Sequence, residues 1–193
     1  MTAPNPAYPV RVDVDYPDRL SRLLIFVKWL LAFPHYIALF FLAIGASVVL
    51  IISWFATIIM GSYPAGMFDY MVGVLRWGVR VSAYVFLMTD SYPPFSLQDD
   101  PSYPVRVEID YPQRIARWRP LLNWLLVIPV ALVAAVIGII AYICVFIAWF
   151  AILITGRMPQ GMFDPILYWF RWSTRTAVFE YWMTEQYPPF VWA

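Results

Sequence analysis

YPVRVDVDYPDR at residues 8–19 returns as YPVRVEIDYPQR at residues 103–114. The offset of 95 between them decides how the rest of the chain is read. It holds to YPPF at 92–95 and 187–190. Along the way Trp29 meets Trp124, Pro34 meets Pro129, Trp54 meets Trp149 and Gly61 meets Gly156. GMFD at 66–69 meets GMFD at 161–164, and Arg76, Trp77 and Arg80 meet Arg171, Trp172 and Arg175. The chain is therefore one unit written twice: repeat one over 1–95, a linker SLQDDPS at 96–102, and repeat two over 103–193.

Each unit reads in one order. Val10, Val12 and Val14 alternate with Arg11, Asp13 and Asp15, the period-two pattern of a half-buried strand. A Tyr-Pro pair ends it, because proline cannot continue a ladder and holds its predecessor extended. A charged helix start follows, then a long apolar helix to about Met60 with an interruption at Pro34. A Gly/Pro turn (GSYPAG at 61–66, TGRMPQG at 155–161) leads to a helix that carries two arginines one turn apart, LRWGVRVSAY at 75–84 and FRWSTRTAVF at 170–179. The two strands and the two YPPF tails are expected to form a small sheet at one membrane face.

Of 193 residues, 62% are hydrophobic and 13% charged, against about 45–50% and about 25% in a soluble domain. The excess lies in blocks. Trp29–Phe68 holds no charge apart from His35, and Pro120–Gly156 holds none. A bilayer crossing needs about 20 apolar residues, so the expected class is an all-α integral membrane protein. The polar start lacks the short apolar core of a signal peptide, and both termini are expected in the cytoplasm of a bacterium, at its inner membrane. Cations flank the starts of both blocks (Arg11, Arg19, Arg22, Lys28; Arg106, Arg114, Arg117, Arg119), in keeping with the positive-inside rule. The net charge of +1 gives no footprint for nucleic acid. Cys144, the lone cysteine, reads as a small buried hydrophobe.

Two arrangements give about four crossings. In one, residues 35–60 span and the arginine helix, about 67–88, spans back. In the other, residues 23–60 form a hairpin and the arginine helix lies on the surface. The absence of turn chemistry within 35–58, and tryptophans 25 residues apart at Trp29 and Trp54, favour the first.

The arginine helix carries a narrow polar stripe: Asp69, Gly73, Arg76 and Arg80, and in repeat two Asp164, Tyr168, Arg171 and Arg175. Structural pairing inside the bundle, across the two copies, is one reading of the arginines. The other is an anion or lipid-headgroup site, since paired guanidiniums suit phosphate and carboxylate. Asp69 and Asp164 are expected to favour a helix N-terminus, and His35 to satisfy a carbonyl freed by Pro34. The tails are expected to act as rigid staples. Catalytic and metal motifs are absent, so no enzyme, no metal and no cofactor is expected.

The unit of long apolar helix, glycine-containing turn, arginine helix and closing Thr-acid-x-Tyr-Pro-Pro-Phe resembles a bacterial membrane-protein family of unknown function. The closing motif is Thr89, Asp90 and Tyr92 to Phe95, then Thr184, Glu185 and Tyr187 to Phe190. The resemblance covers nearly the whole chain as a tandem pair and implies location and architecture, not an activity. The expected function is that of an accessory or scaffold subunit of a larger membrane assembly, in contact with lipid and other membrane subunits. The alternative is a small transporter or lipid-handling protein that binds anionic lipid head groups through Arg76, Arg80, Arg171 and Arg175.

Overall fold

In the computed structural model, which describes residues 8–189, each half repeats the same elements. The first half has β1 (Val10–Val14), α1 (Leu24–Leu31), α2 (Phe33–Met60) and α3 (Ala65–Val85). The second has β2 (Val105–Ile109), α4 (Arg119–Leu126), α5 (Ile128–Thr155) and α6 (Gln160–Glu180). The helix starts are broken, as expected, at Ala32 and at Val127, and Pro34 and Pro129 fall within the first two residues of α2 and α5. There the missing N–H of proline costs nothing.

The strands pair with each other, not within their own halves. β1 and β2 form an antiparallel ribbon in which Val12 faces Val107 and Arg11 faces Glu108. Val10, Val12, Val14, Val105 and Val107 point inward and are buried. The outer face carries ion pairs from Arg11 to Glu108 (2.9 Å) and Asp110 (2.7 Å) and from Arg106 to Asp15 (2.6 Å). The YPPF tail of repeat one does not join this sheet, because its two prolines cannot donate to a ladder. In repeat two, Phe190 lies outside the described residues.

Among the described residues, two helical runs are long and apolar enough to cross a membrane, Leu24–Met60 and Ile128–Thr155. The expectation of four is corrected: α3 and α6 are not among them. α3 carries Asp69, Arg76 and Arg80, and α6 carries Asp164, Arg171, Arg175 and Glu180; both form the middle of the protein. Toward α2, the Tyr70 hydroxyl donates to the Leu42 carbonyl (2.9 Å) and Trp77 Nε1 to His35 Nδ1 (3.0 Å), which sets α3 antiparallel to α2. On its opposite face α3 meets β2, and α6 meets β1 in the same way. The molecule is layered: ribbon, arginine helices, long helices.

The long helices touch the rest along one stripe. In α5 that stripe is Val130, Ala134, Ile137, Ala141, Cys144, Ala148 and Ile152, all buried. The opposite face stays bare, with Leu132, Ile139, Phe146 and Ile154 each more than 60% exposed. Phe40, Phe41, Ile51 and Ile59 do the same on α2. Trp54 is not a free interfacial anchor, since its Nε1 donates to the Pro120 carbonyl of the other half (3.0 Å).

Each half also leans on the other's glycine turn. Gly61 and Gly156 end α2 and α5 with φ of 73° and 70°, a left-handed conformation open to glycine at little cost. Their carbonyls accept from Ile115 N (3.0 Å) and Leu20 N (2.9 Å). Tyr16 donates to the Met158 carbonyl and Tyr111 to the Tyr63 carbonyl, the same bond made twice.

Candidate functional site

The arginine stripe faces the ribbon. Arg80 is fully buried, and its guanidinium donates to the Val105 carbonyl (3.5 Å), the Gln98 carbonyl (3.0 Å) and Asp99 (3.4 Å). Arg76 donates to the Val107 carbonyl (3.2 Å) and the Leu97 carbonyl (3.1 Å), with Asp99 at 3.5 Å. In a two-stranded ribbon every second carbonyl points out from an edge without a ladder partner, and a buried carbonyl left unpaired costs about 1–3 kcal/mol. Here the guanidiniums satisfy them. Burial, and then the neighbouring Arg76 charge, lower the Arg80 pKa, offset in part by Asp99. The Tyr103 ring lies 5.5 Å from the Arg80 guanidinium carbon.

Repeat two builds the same clamp on β1. Arg171 donates to the Val12 carbonyl (2.9 Å) and to Asp13 (2.8 Å). The Arg175 guanidinium lies 5.3 Å from the Tyr8 ring, and burial lowers its pKa. The helix of each copy thus holds the strand of the other. A cavity of about 280 Å3 lies here, lined by Tyr8, Val10, Arg11, Val12, Asp13, Arg171 and Arg175.

The linker between repeats belongs to the first clamp, which its loop-like composition did not reveal. Leu97 lies so close to α3 that a Cβ on Gly73 would stand 2.8 Å from Leu97 Cβ and 3.0 Å from its carbonyl oxygen. Gly73 makes room for the strap, whereas Tyr168 occupies that position in repeat two.

Asp69 and Asp164 are exposed and sit fifth in their helices, beyond the first turn. The expectation that they favour a helix N-terminus is corrected, because the macrodipole effect fades within that turn. His35 also differs from expectation. Its Nδ1 accepts from Trp77, and its ring stacks on Phe95 at 4.0 Å.

The closing motif has a structural role in both copies. α3 and α6 end in left-handed residues, Leu87 (φ 65°) and Trp182 (φ 45°). The Thr89 and Thr184 hydroxyls then accept from Ser91 N and Gln186 N, each at 3.1 Å. The acids reach back to the helix starts, Asp90 accepting from Ser21 N and Glu185 from Ala116 N, each at 2.6 Å. The Tyr92 and Tyr187 hydroxyls donate to the Leu31 and Leu126 carbonyls at the helix breaks. One position differs. Lys28, buried, binds Asp90 (2.8 Å) and the Thr89 carbonyl (2.7 Å), while its counterpart Asn123 donates to the Phe179 carbonyl (2.6 Å). Sequence reasoning missed this pair. The signal was an acid held at one offset in both tails.

Among the described residues no cluster of His, Cys, Asp and Glu could hold a metal ion. The chain belongs to a family described as a domain of unknown function (DUF4389), whose profile matches residues 22–96 and again 117–191. The duplication and the family match coincide. No curated protein and no solved structure matches the chain significantly.

Proposed function

We propose that this chain is a non-catalytic protein of the bacterial cytoplasmic membrane that serves as an accessory or scaffold subunit of a larger membrane assembly. The observation that carries the reading is the bare face of the long helices. Phe, Ile, Leu and Val stand exposed along α2 and α5 without a charged residue among them. A soluble monomer rarely exposes a contiguous apolar patch of more than a few hundred Å2.

The layering argues for how that face sits. Trp77 packs at His35, eleven residues inside the run Leu24–Met60, or about 16 Å along a helix. The ribbon therefore overlies the interior of the run, not its ends. Were the long helices to stand across the bilayer, the ribbon's charges would enter the hydrocarbon. Arg11, Glu108, Asp110, Arg106 and Asp15 have side chains 37–57% exposed, and each charge there costs about 2.5–3.5 kcal/mol on the insertion scale. Helices bedded along one leaflet, with the ribbon and both termini on the cytoplasmic side, avoid that cost.

Extraction in mild detergent tests the reading. The accessory role predicts a stoichiometric protein partner on native purification, identified by mass spectrometry. A chain that migrates alone contradicts it. One observation favours the second reading, lipid handling through paired arginines: Arg171 and Arg175 border a cavity. On that reading the double variant R171Q/R175Q loses retained lipid.

A further inference from the structure

The arginines outside the clamps are arranged as well. The bond from Leu20 N to the Gly156 carbonyl brings Arg19 and Arg22 to the C-terminal end of α5, where Arg157 follows the turn. A cavity of about 530 Å3 opens there, lined by Arg19, Leu20, Arg22, Thr155, Gly156 and Arg157. It holds three guanidiniums and no carboxylate. Among the described residues none of the three makes an ion pair. The other half repeats the geometry: Ile115 N on the Gly61 carbonyl brings Arg114 and Arg117 to the end of α2, with Ser62 in place of Arg157. A Cβ on Gly156 would stand 3.4 Å from Arg22 Nε, and one on Gly61 would stand 3.5 Å from Arg117 Nε.

A helix C-terminus attracts cations, but its end carries only about half a negative charge. Three guanidiniums exceed it within this cavity, and Asp15, Asp18 and Asp90 border the neighbouring cleft that Arg19 and Arg157 also line, without an ion pair to either. Leu23, beside Arg22, is 80% exposed, and Ile154, just before the turn, is 72% exposed. The charges therefore sit at the rim of the bare apolar layer, where a head group lies when its chains lie on that layer.

We propose that Arg19, Arg22 and Arg157 form a binding site for the phosphate of an anionic phospholipid, with Arg114 and Arg117 as a weaker counterpart. Guanidiniums bind phosphate oxygens in bidentate fashion, and exposed Leu23 and Ile154 select a lipid over free phosphate. This inference rests on the membrane seating proposed above.

The test is native mass spectrometry of the detergent-extracted full chain, titrated with phosphatidylglycerol, with phosphatidylcholine and with inorganic phosphate. Phosphatidylglycerol is expected to bind about tenfold or more tightly than phosphatidylcholine, as several cations near an anionic lipid predict. R19Q/R22Q/R157Q is expected to lose that preference while remaining in the membrane fraction. R114Q/R117Q is expected to lose less, and the triple lysine variant, which keeps the charge but not the bidentate fork, to fall between wild type and the triple glutamine variant. Unchanged selectivity in the triple glutamine variant overturns the site, and so does competition by millimolar inorganic phosphate. A wild-type chain soluble without detergent instead overturns the seating itself.

Discussion

The two copies solve the same packing problem with different chemistry. At the break between short and long helix, copy one buries a cation, Lys28, against Asp90, while copy two places the neutral Asn123 against a carbonyl. At the clamp of copy one, Leu97–Asp99 straps Arg76 and Arg80. The counterparts of Leu97 and Gln98 in copy two, Trp192 and Ala193, lie outside the described residues. What the copies share is the strand carbonyl on the arginine, at Val107 and at Val12. Through that shared bond the stripe ties the helix of each half to the strand of the other.

The largest asymmetry lies at the acid of the closing motif. Asp90→Ala leaves Lys28 buried without a counter-charge and is expected to cost about 3–5 kcal/mol. Glu185→Ala removes an acceptor for a helix-start N–H and a charge near Arg119, whose hydrogen bond to the residue-185 backbone carbonyl survives, and is expected to cost about 1–2 kcal/mol. Thermal unfolding in detergent compares the two. Lys28→Asn should rescue Asp90→Ala in part, because copy two already uses asparagine there. Equal losses would break the comparison.

Next comes Arg80→Met, expected to cost about 2–4 kcal/mol through the carbonyls it leaves bare. The sharper readout is hydrogen exchange. The substitution lies in copy one, yet protection should fall in Val105–Ile109 of copy two. Loss confined to the first half would contradict the exchange of strands.

Gly73→Ala probes the strap alone. The added methyl meets Leu97, and a destabilisation of about 1–3 kcal/mol is expected. Gly78→Ala on the same helix meets nothing within 4 Å and should stabilise by up to about 1 kcal/mol. Melting temperatures that move the same way would show that the strap is not in contact.

The smallest effect concerns pH. The Arg106 hydrogen bond holds the Asp15 carboxyl below the ordinary value of 3.8. Its contribution is complete above that value and fades as pH falls below it through the folded pKa. Because the pair is exposed, the loss should be under about 1 kcal/mol, read as a slightly steeper acid limb that Asp15→Asn flattens.

The repeat, the strands, the broken helix starts and the polar stripe were legible because each is a local pattern. The number of helices apolar enough to cross a membrane was not. The arginine helices were expected to cross on the premise that their charges faced a polar interior of the bundle, whereas those charges turn onto the ribbon strand of the other half. His35 misled for a related reason: its partner, Trp77, is distant in sequence. At the candidate site the arginines stood out, but their acceptors are backbone carbonyls of the opposite repeat, which no residue pattern records. Asp90 and Glu185 were visible as a matched pair without a role, since the N–H groups they cap lie 69 residues upstream.

Accessibility of single cysteines tests the layered seating most directly. In a Cys144→Ala background, cysteines replace Ser62, Gln160 and Glu108 one at a time, and intact vesicles of both orientations meet a membrane-impermeant maleimide. Seating along one leaflet predicts that all three are labelled from the cytoplasmic side alone. Labelling of Ser62 and Gln160 from opposite sides would contradict it and set the long helices across the bilayer.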